Sequence, residues 1–460
     1  MHAIIRKLIN NTMSNYVSAA LTRMLNLNSP PTKASAEPVW KVLVYDRYGQ
    51  DIISPLLSVK ELREMGITLH MLIHSDREAI PDVPAIYFIM PTVENISRIS
   101  QDLQNQLYDN YYLNFISAVA RQKLEDLASA AVHSSSVVSV SKVFDQYLNF
   151  ITLEEDMFTL RHQGRDALSY YAINKGDVKD TEIENIMDSI VDSLFSVFVT
   201  LGTIPIIRSP KGNAAEMVAE KLDKKIRENL RDSRNSLFTS DSMTGQFSFQ
   251  RPVLIILDRN IDMATPLHHT WTYQALAHDV LELQLNRVTV EEETENLNGA
   301  KSRKKIKAFD LNVSDKFWIQ HKGSPFPTVA EAVQEELENY RASEDEVKRL
   351  KSAMGLDGES DEAITMISDT TAKLTSAISS LPELLEKKRL IDMHTTIATA
   401  ILDHIKSRKL DIYFEVEEKI MAKTTLDKSL MDMFADPESN LNFYFGVNNC
   451  MIAAIFQSFS

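Results

Sequence analysis

The chain has 460 residues, with 49 Lys and Arg against 64 Asp and Glu, so its net charge is −15. That length fits about three domains, and the acidic balance argues against a general binder of nucleic acid or of anionic lipid. Glycine is scarce, at 12 residues, and the one cysteine, Cys450, excludes a disulfide framework and argues against a cysteine-based zinc site. A chain of this composition is expected in the cytosol.

Residues 1 to 36 carry Arg6, Lys7, Arg23 and Lys33 and no acid. They read as a basic amphipathic helix ending near Pro30-Pro31, with a weaker likeness to a mitochondrial transit peptide. From Lys41 the pattern changes to short apolar runs between amphipathic segments. KVLVY (41–45), TLHMLI (68–73), AIYFIM (85–90) and YYLNFI (111–116) read as strands. SVKELREMG (58–66) and TVENISRISQDLQNQ (92–106) read as helices, the second capped by Thr92 and carrying Ile96, Ile99 and Leu103 at helical spacing. Strands alternating with helices predict a parallel sheet covered by helices. The turn after the first strand is YDRYGQD, not G-x-G-x-x-G, so dinucleotide binding there is not expected. ARQKLEDLASAA (120–131) and VVSVSKVFDQYLNF (137–150) both show apolar residues at helical spacing, which predicts a helical hairpin around a serine turn. Its alanines leave a shallow groove for a partner side chain; closing the core is the other reading of the same faces.

A second α/β segment follows. Ile183, Ile186, Met187, Ile190, Leu194 and Phe198 define a long amphipathic helix leading to TIPII (203–207). A helix over 214–229, the strand VLIIL (253–257) and a helix from Thr272 to about Leu285 come next. TIPII and VLIIL are continuous apolar runs, as expected of parallel strands buried on both faces. EEETEN (291–296) and KSRKKIK (301–307) read as a solvated charged loop joining two units. Beyond them the chain reads as helix: 328–354, 363–379 and 381–408, with an acidic flexible stretch GLDGESDE (355–362) between the first two. The last helix carries Leu384, Ile391, Ala398 and Ile405 at sevens, with Ile401 beside them, and so packs against another helix. Residues 439–460 carry no charge, yet are too polar for a good membrane anchor.

The densest polar cluster lies in 257–279, with Asp258, Asp262, His268, His269, His278 and Asp279. It admits a hydrolase or metal reading, but the spacing argues for a hydrogen-bonded loop. His268 and His269 are adjacent, so their rings should diverge, and no H-E-x-x-H or comparable metal-helix spacing is present. His394 falls on the apolar seam of the 381–408 helix and reads as a satisfied core histidine. No G-x-x-x-x-G-K-[ST], G-x-S-x-G or kinase set occurs, and neither a cofactor nor a metal is expected.

Five stretches carry a family resemblance: KVLVYDRYGQDIISPLLSVKELREMGITLH, YYLNFISAVARQKLEDLA, KVFDQYLNFITLEEDMF, QRPVLIILDRNIDMATPLHHTWTYQALAHDVL and SSLPELLEKKRLIDMHTTIATAIL. The chain resembles the SM (Sec/Munc-like) family of syntaxin- and SNARE-binding proteins, most nearly its Sly branch, over about residues 17–436. The resemblance implies a non-enzymatic α/β protein, an arch of two parallel-sheet domains with a helical insert in the second. The expected division is an N-terminal helix and linker (1–35), domain 1 (36–150), the first part of domain 2 (151–290), the insert or domain 3 (291–437) and an atypical tail (438–460).

By the same resemblance Leu124, Leu127, Ala128, Val140, Val143 and Phe144 form a pocket for a syntaxin N-terminal peptide. The helical hairpin of the insert, with Glu335, Glu338, Arg341, Lys348 and Leu350, receives SNARE helices. Gly355, Asp357, Gly358, Glu359 and Asp361 belong to a lid beside it. The implied partners are a syntaxin-type Qa-SNARE of the endoplasmic reticulum and Golgi, assembled SNARE complexes and Golgi tethering complexes, without nucleic acid. Membrane contact is through SNAREs only, at a cytoplasmic position on endoplasmic reticulum and Golgi membranes, and the implied role is vesicle docking and fusion. The family pattern stops near Asp436-Pro437. The second domain is therefore expected to be incomplete and loosely packed, and a truncated isoform that binds syntaxin without templating SNAREs is the alternative reading.

Overall fold

The computed structural model describes residues 13–28, 39–160, 168–232, 237–238, 251–262, 265, 268–294, 303–312, 314–353 and 381–422. Its contacts divide the chain into two units, residues 1–261 and 262–460.

The first unit opens with helix α1 (Met13–Leu25) and strand β1 (Lys41–Tyr45), followed by α2 (Arg47–Ile53), α3 (Val59–Glu64), β2 (Ile67–Leu72), β3 (Ala85–Ile89), α4 (Val93–Gln104), β4 (Tyr111–Phe115), α5 (Arg121–His133) and β5 (Val140–Asp145). The five strands form one sheet in the order β2-β1-β3-β4-β5, with every neighbouring pair parallel. β1 and β3 are buried along their whole length, which is why their sequences are unbroken apolar runs. The helix starts are capped as their sequences require. Ser58 and Glu61 form a reciprocal capping box on α3, and the Thr92 hydroxyl accepts from Asn95 N–H on α4.

One prediction fails here. Residues 137–150 are not the second arm of a helical hairpin: a single 3-10 turn (Val137–Ser139) leads into β5, which adds to β4 as the edge strand. Val140, Val143 and Phe144 carry β propensity that the local apolar spacing conceals, and the β4 backbone supplies the partner.

The unit continues with the short pair β6 (Ile151–Thr152) and β7 (Phe158–Thr159), then α6 (Tyr170–Asn174), α7 (Asp180–Leu201), β8 (Ile206–Arg208), α8 (Ala214–Arg231) and β9 (Val253–Ile255). α7 ends on Gly202, whose positive φ closes the helix as few other residues would. α7 and α8 pack through Met187, Val191, Phe195, Leu222 and Ile226, and Lys221 bridges to Asp188 at 2.7 Å across their exposed side. β8 and β9 pair in parallel as a sheet of two strands. Ile207, Leu254 and Ile256 pack under this pair, but Val253, Ile255 and Leu257 are 58, 64 and 64% exposed. The expected burial on both faces is therefore corrected: among the described residues only one face is covered.

The second unit contains α9 (Tyr273–Val280), β10 (Glu282–Gln284), β11 (Arg287–Thr294), β12 (Arg303–Asp310), α10 (Lys316–His321), α11 (Phe326–Ala353), α12 (Leu381–Arg408) and α13 (Leu410–Met421). The predicted 272–285 helix is thus shorter, because its last residues form β10. The charged blocks near 291 and 307 are also corrected. They are not a loop but two strands of an antiparallel sheet, with Glu292 opposite Lys305 and Glu293 opposite Lys304. The backbone pairing links residues that a linear reading treats as separate blocks. The core gathers Tyr273, Leu276, Val288, Trp318, Val329, Val333, Ile397, Ile401 and Ile405. Ile391 and Ile405 are buried as the spacing by sevens predicts. α9 and β10, expected with the 151–290 segment, pack with α12 in this unit.

Candidate functional site

The C-terminal edge of a parallel sheet is where ligands of doubly wound folds bind. Here Asp46, directly after β1, occupies that edge. Its Oδ1 accepts from Gly49 N–H at 2.7 Å, and its Oδ2 from Met90 N–H at 2.8 Å and the Asn95 side-chain amide at 2.9 Å. The carboxylate takes amide donors that a phosphate would use. A Cβ on Gly49 would lie 2.4 Å from the Phe88 carbonyl oxygen, so glycine serves close packing of α2 on the sheet and not phosphate approach.

The 257–279 cluster resolves into structural bonds. Asp258 accepts from Asn260 N–H at 2.9 Å, and Asp262 from Thr265 N–H at 3.0 Å. The expectation that the adjacent histidines diverge is corrected. His269 N–H donates to Glu417 Oε2 at 2.8 Å, its Nδ1 lies 2.7 Å from Glu417 Oε1, and His268 Nε2 lies 3.3 Å from Glu418 Oε1. Trp271 stacks on Phe414 with ring centres 5.2 Å apart. The loop is thereby clamped to α13 by a carboxylate pair 148 residues away, a partner no local spacing reveals. His278 lies apart, exposed beside Asp279. Among the described residues no group of three or more His, Cys, Asp or Glu is arranged to hold a metal. No described helix is long and apolar enough to cross a membrane.

The candidate surface is the α5–β5 edge of the first sheet. In parallel pairing, facing residues point to the same side. Val140 faces Tyr111 and Val143 faces Leu113, and both β4 residues belong to the core under α4 and α5. Val140 and Val143 therefore share the α5 side with Leu127 and Ala131. Phe144 faces Asn114 and projects from the other side, where Lys142 Nζ donates to the Leu27 carbonyl at 3.2 Å and Asn28 donates to Asn114. The six predicted residues are thus divided by the sheet.

Their exposure divides them again. Leu127 is 4% exposed and part of the core, whereas Leu124 and Val143 are 38 and 43% exposed and Ala128 is open. On the α5 side Leu124, Ala128 and Val143 are thus exposed, Val140 is half-buried and Leu127 is buried in the core. Val132 near the end of α5, and Val137 and Val138 in the 3-10 turn after it, are exposed as well, though the helical spacing does not single them out. Asp145, at the end of β5, accepts from Val119 N–H at 3.2 Å, and burial pushes its carboxyl above the usual range against that bond.

In the second unit Glu335, Glu338 and Arg341 lie on α11 and are exposed. Lys348 and Leu350 lie further along the same helix, with side chains outside the described residues. The lid residues Gly355, Asp357, Gly358, Glu359 and Asp361 lie outside the described residues altogether, as does the tail 438–460. α11 and α12 are joined by a 2.8 Å bridge between Glu336 and Lys387.

Residues 41–444 match the Sec1 family. The chain belongs to the Sec1 family. It is a family of non-enzymatic proteins, and within it this chain falls in the Sly1 branch. It is 70% identical over 428 residues to the mouse Sec1 family domain-containing protein 1, spanning 92% of this chain and 67% of that protein. It is 62% identical over 423 residues to the Drosophila melanogaster protein sly1 homolog, spanning 91% of this chain and 66% of that one. The chain thus spans about two thirds of the length of these relatives. Among solved structures, Sly1p in complex with an N-terminal peptide of Sed5p superposes with a TM-score of 0.75 at 30% identity, over 98% of this chain and 69% of that one. The Unc18–syntaxin 1 complex of Monosiga brevicollis superposes at 0.72 with 21% identity, over 97% of this chain and 73% of that one, a likeness of fold. The α/β architecture with a parallel sheet is that of the Sec1 family.

Proposed function

We propose that this Sec1-family chain binds the N-terminal peptide of a syntaxin-type Qa-SNARE on the α5 side of β5, and that it promotes SNARE assembly in transport between the endoplasmic reticulum and the Golgi. The observation that supports this reading is the exposed apolar set Leu124, Ala128 and Val143 beside an edge strand, in a chain 30% identical to a Sly1p solved with a Sed5p N-terminal peptide. An apolar side chain of the peptide rests between α5 and β5, while Leu127 supports the floor from the core. The α11–α12 hairpin receives SNARE helices along the face of Glu335, Glu338 and Arg341, with the 355–361 segment as its lid. The chain acts on the cytoplasmic side of endoplasmic reticulum and Golgi membranes through its SNARE partners.

Burying one Leu or Phe of the peptide contributes about 1.5–3 kcal/mol, so losing that contact weakens binding roughly tenfold to hundredfold. Leu124→Lys places a charge on the surface without touching the core. Calorimetry with a syntaxin N-terminal peptide should show that loss while the thermal transition stays in place. Unchanged affinity in Leu124→Lys would remove the α5 side as the docking site.

A further inference from the structure

His394 lies near the middle of α12, yet its ring bonds go to other elements. Its Nε2 is 2.8 Å from Asp315 Oδ2, and its Nδ1 is 2.9 Å from the Tyr273 hydroxyl. All three residues are buried. With Nε2–H donating to the carboxylate and Nδ1 accepting from the phenol, a neutral imidazole is satisfied at both nitrogens. Burial, helped by the Asp315 charge, holds the Tyr273 hydroxyl far above the usual phenol range, so it remains a donor. Burial also pushes the Asp315 carboxyl up, but the hydrogen bond from His394 and the Trp318 amide outweigh it and leave the group below the usual carboxylate range.

The two partners lead straight to the hairpin. Asp315 Oδ1 accepts from Trp318 N–H and caps α10. Tyr273 N–H donates to Ser324 O, Gln274 N–H to Lys322 O, and Phe326 N–H to Trp271 O. Residues 271–274 and 322–326 are therefore one hydrogen-bonded junction, and α11 starts from it. α12 passes the same junction at His394 and meets α11 again where Lys387 bridges Glu336. Apolar seams tolerate small slips of one helix along another. A doubly bonded imidazole does not: a slip of one residue moves it by about 1.5 Å and turns it by about 100°, which breaks both bonds.

We propose that His394 is a positioning residue, which through Asp315 and Tyr273 fixes the axial register of α12 against α11 and so the spacing of the hairpin surface that SNARE helices contact. The functional half of this rests on the reading of the hairpin given above.

The distance measurement uses the full chain with Cys450→Ser, spin-labelled at Asn339→Cys and Leu385→Cys, both exposed, and SNARE binding is measured on the unlabelled chain without these cysteines. His394→Leu keeps bulk without either bond. His394→Gln can still donate to Asp315 and accept from Tyr273. The label distance should be narrowly distributed in the parent and in His394→Gln, and shifted or broadened by about 1.5 Å or more in His394→Leu. Binding of SNARE helices should fall about tenfold in His394→Leu and stay within about threefold in His394→Gln, while N-terminal peptide affinity is unchanged in both. An unchanged distance in folded His394→Leu overturns the proposal, as does equal broadening in His394→Gln. Broadening with unaltered SNARE binding upholds the register role and overturns the hairpin reading instead. Should His394→Leu fail to fold, Tyr273→Phe removes one bond and keeps the ring; it should broaden the distance to a lesser extent, and no change there overturns the proposal.

Discussion

The first unit contains two parallel sheets built from similar words. KVLVY and AIYFI sit in the five-stranded sheet with neighbours on both edges and helices on both faces, and every residue of both strands is buried. Among the described residues VLI of β9 pairs only with β8 and shows its odd-numbered side chains to the outside. An apolar run records that a strand is able to be buried on both faces. Whether it is depends on elements far away in sequence. β1 and β3 find theirs within the adjoining 75 residues or so of chain, a span in which loop closure is inexpensive. For β9, the described residues supply α7 and α8 beneath and β8 beside it, and nothing on the third side.

The largest effect should come from the polar pin under the first sheet. Arg77 donates to both oxygens of Asp102, at 2.8 and 3.0 Å, and the Tyr87 hydroxyl of β3 donates to the same carboxylate at 2.7 Å. Both charges are buried. Arg77→Ala leaves Asp102 without its cation in a dry site and should cost about 3–5 kcal/mol in denaturant unfolding. A loss below about 1 kcal/mol would mean that water reaches this sheet too, and the contrast between the two sheets would collapse.

The edge of the same sheet allows a finer comparison within one helix. Leu127 and Leu124 are one turn apart on α5, the first in the core and the second at the surface. Leu127→Ala should lose about 2–4 kcal/mol of stability, and Leu124→Ala about 0.5 or less. In peptide binding the order should reverse at temperatures where both proteins are folded, because only Leu124 is exposed to a ligand. Equal stability losses would place Leu124 under cover and leave no room for a peptide beside it.

The sequence made the first sheet and α12 legible because their signals are local. Alternation of strand and helix, Thr92 as a cap and the 7-residue spacing from Leu384 to Ile405 all act within a few turns of chain. What it hid was non-local. β5 looked helical because Val140, Val143, Phe144 and Tyr147 satisfy helical spacing as well as a strand, and only the open edge of β4 decides between them. The division of Val143 from Phe144 by the sheet depends on the β4–β5 register. The partners of His269 and of His394 arrive from Glu417 and from Asp315 and Tyr273, across 148, 79 and 121 residues. Family resemblance pointed to the α5–β5 surface; it did not say that Leu127 is buried in the core and Leu124 exposed.

The smallest expected effect bears most directly on β9. In the five-stranded sheet, replacing a buried aliphatic side chain by a hydroxyl would combine lost burial with an unpaired polar group. At Ile255 neither term applies if the outer face meets water, because the side chain is already 64% exposed. Ile255→Ser should therefore change unfolding free energy by no more than about 0.5 kcal/mol, and Val253→Thr by less. The even-numbered neighbour gives the internal control: Leu254 packs on the α7–α8 core, and Leu254→Ser should cost several times more. A loss of about 2 kcal/mol or more at Ile255 would show that the outer face is covered in solution, and β8–β9 would then belong to the same class of sheet as β1–β3.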